Sequence, residues 1–348
     1  MEKFFKLFGS RIMKTGIAVF ITATLCHLLN LSAIFAVVTA IVTIEPTASD
    51  SIKKGMIRLP ASAIGAAFAM TFAGFLGDVA LAYALSTVCT IILCHKLKLD
   101  DGILVATLTA VMMIPFTTDH FLMSFLARLG TTSIGLFVST LVNLFILPPN
   151  YSSVITKNIH SLYDETSTLF IKKVDNLLHG SSQQILTKQL NDIERKVAKT
   201  LKLCHYTREE WKYHRHTTKQ MRFYHYELKK LSILQHVLYH LQNLFYLTNK
   251  NLDLSTKEKD TLLRTVRSLC NILRDSSHHV PSEHYMLIKE VDSKFWELKE
   301  DIRNTFNKYQ HHFTTETVLM YEILSIHDIL EELDHLCKIE SKHIRETE

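Results

Sequence analysis

The chain has 348 residues and a net charge of +5, with 39 Lys and Arg against 34 Asp and Glu. This small surplus does not predict a nucleic-acid surface, and the absence of a P-loop, a nucleophile elbow or a dinucleotide glycine pattern argues against an enzyme. Residues 1–150 hold nine of the ten glycines but only 10 of the Lys and Arg and 7 of the Asp and Glu. We therefore predict a transmembrane domain over 1–149 and an α-helical domain over 150–348.

Six apolar stretches follow one another in the first domain. They cover residues 12–29, 31–44, 59–76, 79–93, 103–117 and 121–147. A helix needs about 20 residues to cross the hydrocarbon core, so several of these stretches are short. The first has a positive flank but no small-residue cleavage site, so we expect an uncleaved first helix. The pattern predicts a polytopic membrane protein with six transmembrane helices.

Lys and Arg mark every other loop of this domain. The N-terminus, the second loop and the fourth loop carry all the basic loop residues, whereas the first, third and fifth loops have none. Because basic residues are retained on the cytoplasmic side, we expect the N-terminus and the C-terminal domain to be cytoplasmic.

An eight-residue phrase occurs twice, seventy positions apart. Arg58-Leu-Pro-Ala-Ser-Ala-Ile-Gly65 returns as Arg128-Leu-Gly-Thr-Thr-Ser-Ile-Gly135, and an earlier Cys-His pair at 26–27 returns at 94–95. Each copy of the phrase belongs to a set of three apolar stretches. Because three is an odd number of crossings, the second set runs through the membrane in the opposite sense to the first. The sequence predicts an inverted 3+3 repeat, which many secondary transporters use for alternating access. The alternative is chance similarity between apolar segments.

The two arginines are the first candidate binding residues. We expect Arg58 at the cytoplasmic start of the third helix and Arg128 near the outer start of the sixth, where free N–H groups would help each guanidinium to bind a carboxylate. The alternative is that both side chains snorkel to lipid headgroups. The substrate-binding candidates are Arg58, Arg128, Ser62, Thr132 and Asn143, and the candidates for proton coupling or gating are Glu45, Asp50, Asp78 and Asp119. The four acids would pair with the arginines until a substrate carboxylate replaces them.

Several motifs together resemble one known family. They are Arg11-Ile-Met-Lys14, Ile44-Glu-Pro-Thr47, Ser51-Ile-Lys-Lys-Gly55, the two arginine phrases and Asn143-Leu-Phe-Ile-Leu-Pro-Pro149. The chain is similar to the aromatic acid exporter family, in the wider fusaric-acid-resistance-like group, and to its short bacterial branch. The resemblance implies a multi-pass bacterial cell-membrane protein that exports aromatic carboxylic acids, driven by the proton gradient. Longer relatives carry two such halves, so a homodimer is expected. Position 45 is Glu where relatives often have Gln.

The second domain reads as helices throughout. The predicted helices cover 151–179, 182–212, 217–249, 255–276, 282–309 and 315–346, with a capping box at Ser255 and a proline start at 281. Leucine seams near 231–245 and 319–330 favour a bundle core over a partner interface. His236 and His240 share a helix face, but no third ligand is fixed, so we expect no metal and no cofactor. A cytoplasmic pH sensor stays an alternative for these histidines.

We therefore expect an all-α exporter of small organic anions, surrounded by lipid. The alternative is a non-transporting scaffold whose cytoplasmic bundle recruits a partner. A third interpretation, an anion channel, would conduct without a proton gradient.

Overall fold

The computed structural model describes residues 10–116, 121–146, 151–180, 184–247, 252–305 and 313–345, and these residues form helices and no strand. The all-α prediction is therefore confirmed. Contacts divide the chain into two compact units, one of Met1–Asn150 with Tyr206–Arg215 and one of Tyr151–His205 with His216–Glu348. The predicted boundary assigned 206–215 to the second domain, whereas these residues pack with the first unit.

Six helices make up the described part of residues 10–146. They are α1 (Ser10–Leu28), α2 (Ala33–Thr43), α3 (Ala48–Leu76), α4 (Ala80–Lys96), α5 (Ile103–Met113) and α6 (Phe121–Phe145). Short 3₁₀ turns precede and follow α5. By length and composition, three helices among the described residues can cross a membrane: α1, α3 and α6. Helices α2 and α4 are apolar but shorter.

Helix α3 begins eleven residues before the predicted start at Leu59. Thr47 is extended, and its hydroxyl accepts the backbone N–H of Asp50, which caps a first turn of polar residues. Pro60 lies inside the helix rather than at its start. Arg58 is therefore nearly three turns into α3, and Arg128 is two turns into α6. The expectation that each arginine lies at a helix N-terminus is wrong.

The internal repeat is visible at the ends of α1 and α4. Asn30 and Lys98 both adopt a left-handed conformation, with φ of 54° and 58°. After each helix the same bond closes the turn, since Leu31 N–H donates to the Cys26 carbonyl and Leu99 N–H to the Cys94 carbonyl, both at 2.9 Å. This is the Schellman arrangement of a helix end. The first helix of each copy thus ends in the same way, although neither left-handed residue is glycine.

The two copies also pack reciprocally. A Cβ atom added to Gly65 of α3 would lie 2.1 Å from the carbonyl oxygen of Ala106 in α5, and one added to Gly135 of α6 would lie 2.4 Å from that of Ala36 in α2. Ala36 and Ala106 are seventy positions apart, as are the two glycines. The third helix of each copy therefore lies against the second helix of the other copy. Such an exchange is what a two-fold relation between the copies produces.

The described residues of the second unit form six further helices. They are α7 (Ser152–His179), α8 (Gln184–Glu210, of which 206–210 belong to the first unit), α9 (Thr218–Tyr246), α10 (Thr256–Arg274), α11 (Ser282–Thr305) and α12 (Thr315–Arg345). Capping boxes begin α9 and α10. Helix α7 packs against α9 and α10, and α12 packs against α9, α10 and α11. Leu231, Leu234, Leu241 and Leu319 are fully buried. These seams are core, as predicted.

The reciprocal packing makes a stability prediction. Gly65→Ala and Gly135→Ala should each lower the free energy of unfolding by about 1–3 kcal/mol, because the new methyl group meets backbone that cannot rotate away. Gly130→Ala in α6 is the matched control, since nothing lies within 4 Å of its added Cβ. Thermal unfolding in detergent measures all three. Equal melting temperatures for Gly65→Ala and Gly130→Ala would contradict the close contact.

Candidate functional site

Arg128 is buried inside the first unit, with 5% of its surface exposed. Its Nη2 donates a hydrogen bond of 2.8 Å to Thr109 Oγ1 in α5. The guanidinium carbon lies 4.0 Å from the centre of the Phe35 ring in α2. Protein therefore encloses the guanidinium, whereas a snorkelling side chain would extend to the helix surface.

The remaining hydrogen-bonding capacity of Arg128 is unused. Its Nε and Nη1 are buried, and neither has a hydrogen-bond partner among the residues that the structure describes. A guanidinium stays charged under all ordinary conditions, and a buried donor without an acceptor costs about 1–3 kcal/mol. The Phe35 ring offsets part of this cost through its negative face. The site therefore has a cation without a counter-ion in the described part of the chain.

Three hydroxyl groups, which we name the hydroxyl cluster, lie beside this cation. Thr109 Oγ1, which accepts from Arg128, is 3.0 Å from Ser62 Oγ, and Ser62 Oγ is 3.4 Å from Thr132 Oγ1. All three residues are fully buried. Ser62 and Thr132 occupy the same position in the two copies, so the copies meet at this contact. Two of the predicted substrate-binding hydroxyls are thus brought together with Arg128.

Arg58 has a different environment from its counterpart. Its Nη2 donates to Glu45 Oε1 at 2.5 Å, and its Nε to the Asp101 carbonyl at 3.3 Å. Lys54 contacts the other oxygen of Glu45 at 3.1 Å. Glu45 therefore has two cationic neighbours, and it is the only one of the four predicted acids that contacts an arginine among the described residues. Arg58 Nη1 is buried without a hydrogen bond in the same part of the chain.

Asn143 is the centre of a third polar group, the Asn143 hub. Its amide nitrogen lies 3.0 Å from the carbonyl oxygens of Glu45 and Thr47 and 2.7 Å from Ser51 Oγ. Its Oδ1 accepts a 2.7 Å hydrogen bond from Lys14 Nζ, which is 4% exposed. The hub joins α1, α3 and α6 to the link between α2 and α3. Asn143 thus contacts Glu45 through backbone and does not contact Arg128.

Residues 206–215 lie against the start of α3. We name them the acidic segment after Glu209 and Glu210, although three basic residues against these two acids give the segment a net charge of +1. Glu210 Oε1 accepts the Ala48 N–H at 2.8 Å, and Glu209 Oε2 accepts the Ser49 hydroxyl at 2.7 Å. Hydrogen bonds from Lys212 and Ser49 lower the pKa of Glu209 to about 2. A carboxyl whose pKa is lowered in the folded protein stabilises the fold at any pH above its ordinary pKa. That stabilisation is lost as the pH falls towards 2. Glu209 is therefore ionised at every physiological pH.

The other predicted acids lie apart from the arginines. Asp50 is half-buried in the first turn of α3, where its N–H meets the Thr47 cap. Asp78 is exposed and interacts with Tyr83, and Asp119 lies outside the described residues. Sequence reasoning missed Thr109, Phe35 and Lys14. The repeat could have identified Thr109, because Thr39 and Thr109 are seventy positions apart, the same offset that separates Arg58 from Arg128.

His236 and His240 on α9 have different environments. His240 Nδ1 lies 2.6 Å from Glu322 Oε2, whereas His236 is exposed. Within the described ranges, no three His, Cys, Asp or Glu side chains are grouped as metal ligands would be. The six cysteines are free thiols.

The Asn143 hub makes a second prediction. Asn143→Asp keeps the shape and the acceptor for Lys14 but removes the two amide N–H groups. The carbonyls of Glu45 and Thr47 would then face a carboxylate, so we expect the free energy of unfolding to fall by about 2–4 kcal/mol. Asn158→Asp, at a half-buried position with one hydrogen bond to Thr200, is the control and should change it by less. An unchanged melting temperature for Asn143→Asp would show that the hub does not stabilise the fold.

Comparisons with known proteins agree with this architecture. Residues 6–146 match the model of the aromatic acid exporter family member 1. A UPF0421 protein of Bacillus cereus is 47% identical over 335 residues, covering 95% of this chain and 94% of that protein. UPF0421 proteins of Halalkalibacterium halodurans and Staphylococcus saprophyticus are 37% and 38% identical, with 94% and 92% of this chain covered and 88% and 96% of theirs. The family resemblance predicted from the motifs is confirmed: residues 6–146 match the aromatic acid exporter family, and the chain belongs, over about 95% of its length, to the UPF0421 proteins of bacteria.

Proposed function

We propose that this protein is a secondary exporter of small organic anions, with aromatic carboxylates as its substrates and the proton gradient as its driving force. The observation that carries the proposal is Arg128, a buried guanidinium with two nitrogens that lack an acceptor among the described residues. An ionisable group buried inside a membrane domain is by default a functional-site candidate, because an apolar side chain at the same position would avoid the cost of burying a charge. A ligand carboxylate supplies only acceptors and a negative charge, which are what this site lacks.

Three features of the Arg128 site fit an aromatic acid. Nε and Nη1 of Arg128 keep unused N–H groups, so a carboxylate can accept charge-assisted hydrogen bonds from the guanidinium. The Phe35 ring gives the site an apolar wall, against which a second aromatic ring packs favourably. The name of the matched family, aromatic acid exporter, points to the same substrate class. Together these features support aromatic carboxylates over small inorganic anions.

The Glu45–Arg58 pair is the proposed coupling element. Glu45 neutralises Arg58 at 2.5 Å, so the arginine is occupied while the carboxylate is ionised. An incoming substrate carboxylate would displace Glu45 from Arg58, while Lys54 holds the displaced carboxylate in its ionised form. After the anion leaves on the outer side, a proton from that side would bind Glu45 for the return step and leave on the inner side, so that one proton enters for each anion exported. The asymmetry between Arg58, which has an acid, and Arg128, which has none among the described residues, gives the two arginines different roles.

The proposed topology places this chemistry in a membrane. We infer six spans in an inverted 3+3 arrangement in the bacterial cell membrane, with both termini cytoplasmic, and a homodimer as the transporting form. The reciprocal packing at Gly65 and Gly135 and the matched ends of α1 and α4 support the repeat, and the alternating basic loops support the orientation.

Substitution of Arg128 tests the function. In proteoliposomes, Arg128→Lys and Arg128→Gln should each reduce benzoate flux at least about tenfold, because an ammonium cannot reproduce the planar set of donors and an amide lacks the charge. Arg195→Gln, at an exposed arginine of α8, is the control and should leave flux unchanged. The assay loads benzoate with and without an imposed pH gradient. Full flux and unchanged affinity in both Arg128 variants would refute the proposed site.

The same assay separates the alternatives. A scaffold gives no benzoate flux in any variant, including the natural chain. A channel gives flux that follows the membrane potential and ignores the pH gradient. An exporter gives gradient-dependent flux that requires Arg128.

Substitution of Glu45 tests the coupling. Glu45→Gln leaves Arg58 without its acid, so benzoate binding should become independent of pH and the gradient should no longer accelerate flux. Asp100→Asn, at an exposed acid that pairs with His95, is the control and should keep normal gradient dependence. Benzoate affinity is measured by calorimetry across pH 5 to 8. Glu45→Gln with the same pH dependence as the natural chain would exclude Glu45 as the coupling group.

A further inference from the structure

The acidic segment makes contacts in the first unit that the proposed transport cycle does not use. Its two carboxylates bind the first turn of α3, Glu210 at the Ala48 N–H and Glu209 at the Ser49 hydroxyl. Lys53, one turn later, lies 3.3 Å from Glu209. Both glutamates are buried, at 6% and 4% exposure. Two charged side chains are thus removed from water to occupy one helix terminus.

The segment also contacts α6 beside the Asn143 hub. His214 Nε2 lies 2.8 Å from the carbonyl oxygen of Leu144, the residue after Asn143. Because a carbonyl only accepts, this nitrogen carries the hydrogen. On its other side the imidazole Nδ1 lies 3.0 Å from Glu210 Oε2. Glu210 and His214 therefore connect the start of α3 to the end of α6 on either side of the hub.

The Asn143 hub is next to the Glu45–Arg58 pair. Asn143 contacts the backbone of Glu45 and the side chain of Ser51, and Ser51 lies two residues beyond Ser49 on α3. The Glu45 side chain in turn binds Arg58. The acidic segment, the hub and the Glu45–Arg58 pair thus form one continuous polar region within the first unit.

The contacts of the segment are suited to release. The named contacts to α3 and α6 are hydrogen bonds and ion pairs, whose groups can bind water instead when the segment moves away. Glu210 Oε2 has no well-formed hydrogen bond in the described part of the chain, although it is buried. The chain on both sides of 206–215 belongs to the second unit. A rearrangement in the second unit therefore reaches this contact through the backbone itself.

We propose that residues 206–215 are an autoinhibitory clasp, in which Glu209 and Glu210 hold the start of α3 and close the approach to the Glu45–Arg58 pair until the segment withdraws. This inference rests on the proposed exporter function for its consequence, because a closed approach matters only if an anion must reach Arg58. The clasp makes transport conditional on the state of the second unit, which the family match over residues 6–146 does not include.

A thiol reporter tests whether the two acids hold the segment in place. Ser49→Cys places a thiol beneath Glu209, and Cys89→Ser removes the half-buried natural thiol. In the full chain, labelling by a charged maleimide should accelerate about tenfold when Glu209→Gln and Glu210→Gln are added, because a thiol is protected in proportion to the fraction of molecules in which the segment is closed. Asp192→Asn, at an exposed acid of α8, is the control and should not change the rate. Equal labelling with and without the two acids would overturn the clasp.

A transport measurement tests inhibition. Glu209→Gln with Glu210→Gln should lower the apparent KM for benzoate about tenfold, because the competent state is no longer a minor one. A lower maximal rate with unchanged KM would overturn the proposal, because the acids would then only support the fold. A locked variant gives an independent result: Ser49→Cys with Glu209→Cys, joined by a short reducible crosslinker, should lose benzoate flux and regain it on reduction. Undiminished flux in the locked state would also overturn the clasp.

The two proposals fail separately. If the natural chain and every variant lack benzoate flux, the exporter function is refuted, and the labelling rates still decide whether the acidic segment closes over α3. If flux depends on Arg128 but neither labelling nor KM responds to the two acids, the exporter stands and the clasp is refuted.

Discussion

The first unit depends on two contacts in which a glycine meets helix backbone. At Gly65 and Gly135 the helices approach so closely that a methyl group would overlap the carbonyl oxygens of Ala106 and Ala36. Ser62 and Thr132 precede the two glycines by three residues, and Thr109 follows Ala106 by three. Close approach at the glycines therefore brings these hydroxyls within hydrogen-bond distance one turn away. In a membrane, where apolar burial gives little drive for helix association, such small-residue contacts and buried polar bonds supply much of the specificity.

The repeat is symmetrical in packing and asymmetrical in charge. Each copy has an arginine four residues before a buried hydroxyl, yet Arg58 pairs with Glu45 while Arg128 contacts Thr109 and Phe35. The position seventy residues after Glu45 is Pro115, so the second copy lacks the acid. One arginine is thereby neutralised within the chain, and the other keeps unused donors. The repeat thus provides the scaffold, and an acid present in only one copy gives the two cations different electrostatics.

The acidic segment adds a constraint from a distant part of the chain. The free N–H groups at the start of α3 need acceptors, and Glu210 supplies one from a helix that begins in the other unit. A helix terminus that is satisfied by a remote carboxylate is stable only while that carboxylate is present. In the proposed clasp, the start of α3 is the place where the second unit acts on the first.

The sequence by itself determined the helices, their order, the division of apolar and charged halves, the repeat and the family. These properties depend on local periodicity and on the spacing of matched residues, which are readable along one chain. The sequence-based prediction placed the start of α3 too late, because the polar run Ser49, Asp50, Lys53 and Lys54 is typical of a loop. The structure shows that Thr47 caps this turn and that Glu209 binds Ser49 and Lys53. The identities of Arg58 and Arg128 as candidates were predicted, but their partners were not.

Only the tertiary structure decided which polar groups meet. Thr109 of α5 and Phe35 of α2 reach Arg128 because each of these helices packs against the third helix of the other copy at a glycine contact. Lys14 reaches Asn143 across 129 positions of sequence. Residues 206–215 join the first unit through a contact 162 positions apart, between Glu210 and Ala48. Pairings at such separations follow from how helices pack. The pattern of one segment contains no information about the acceptor that another segment will bring to it.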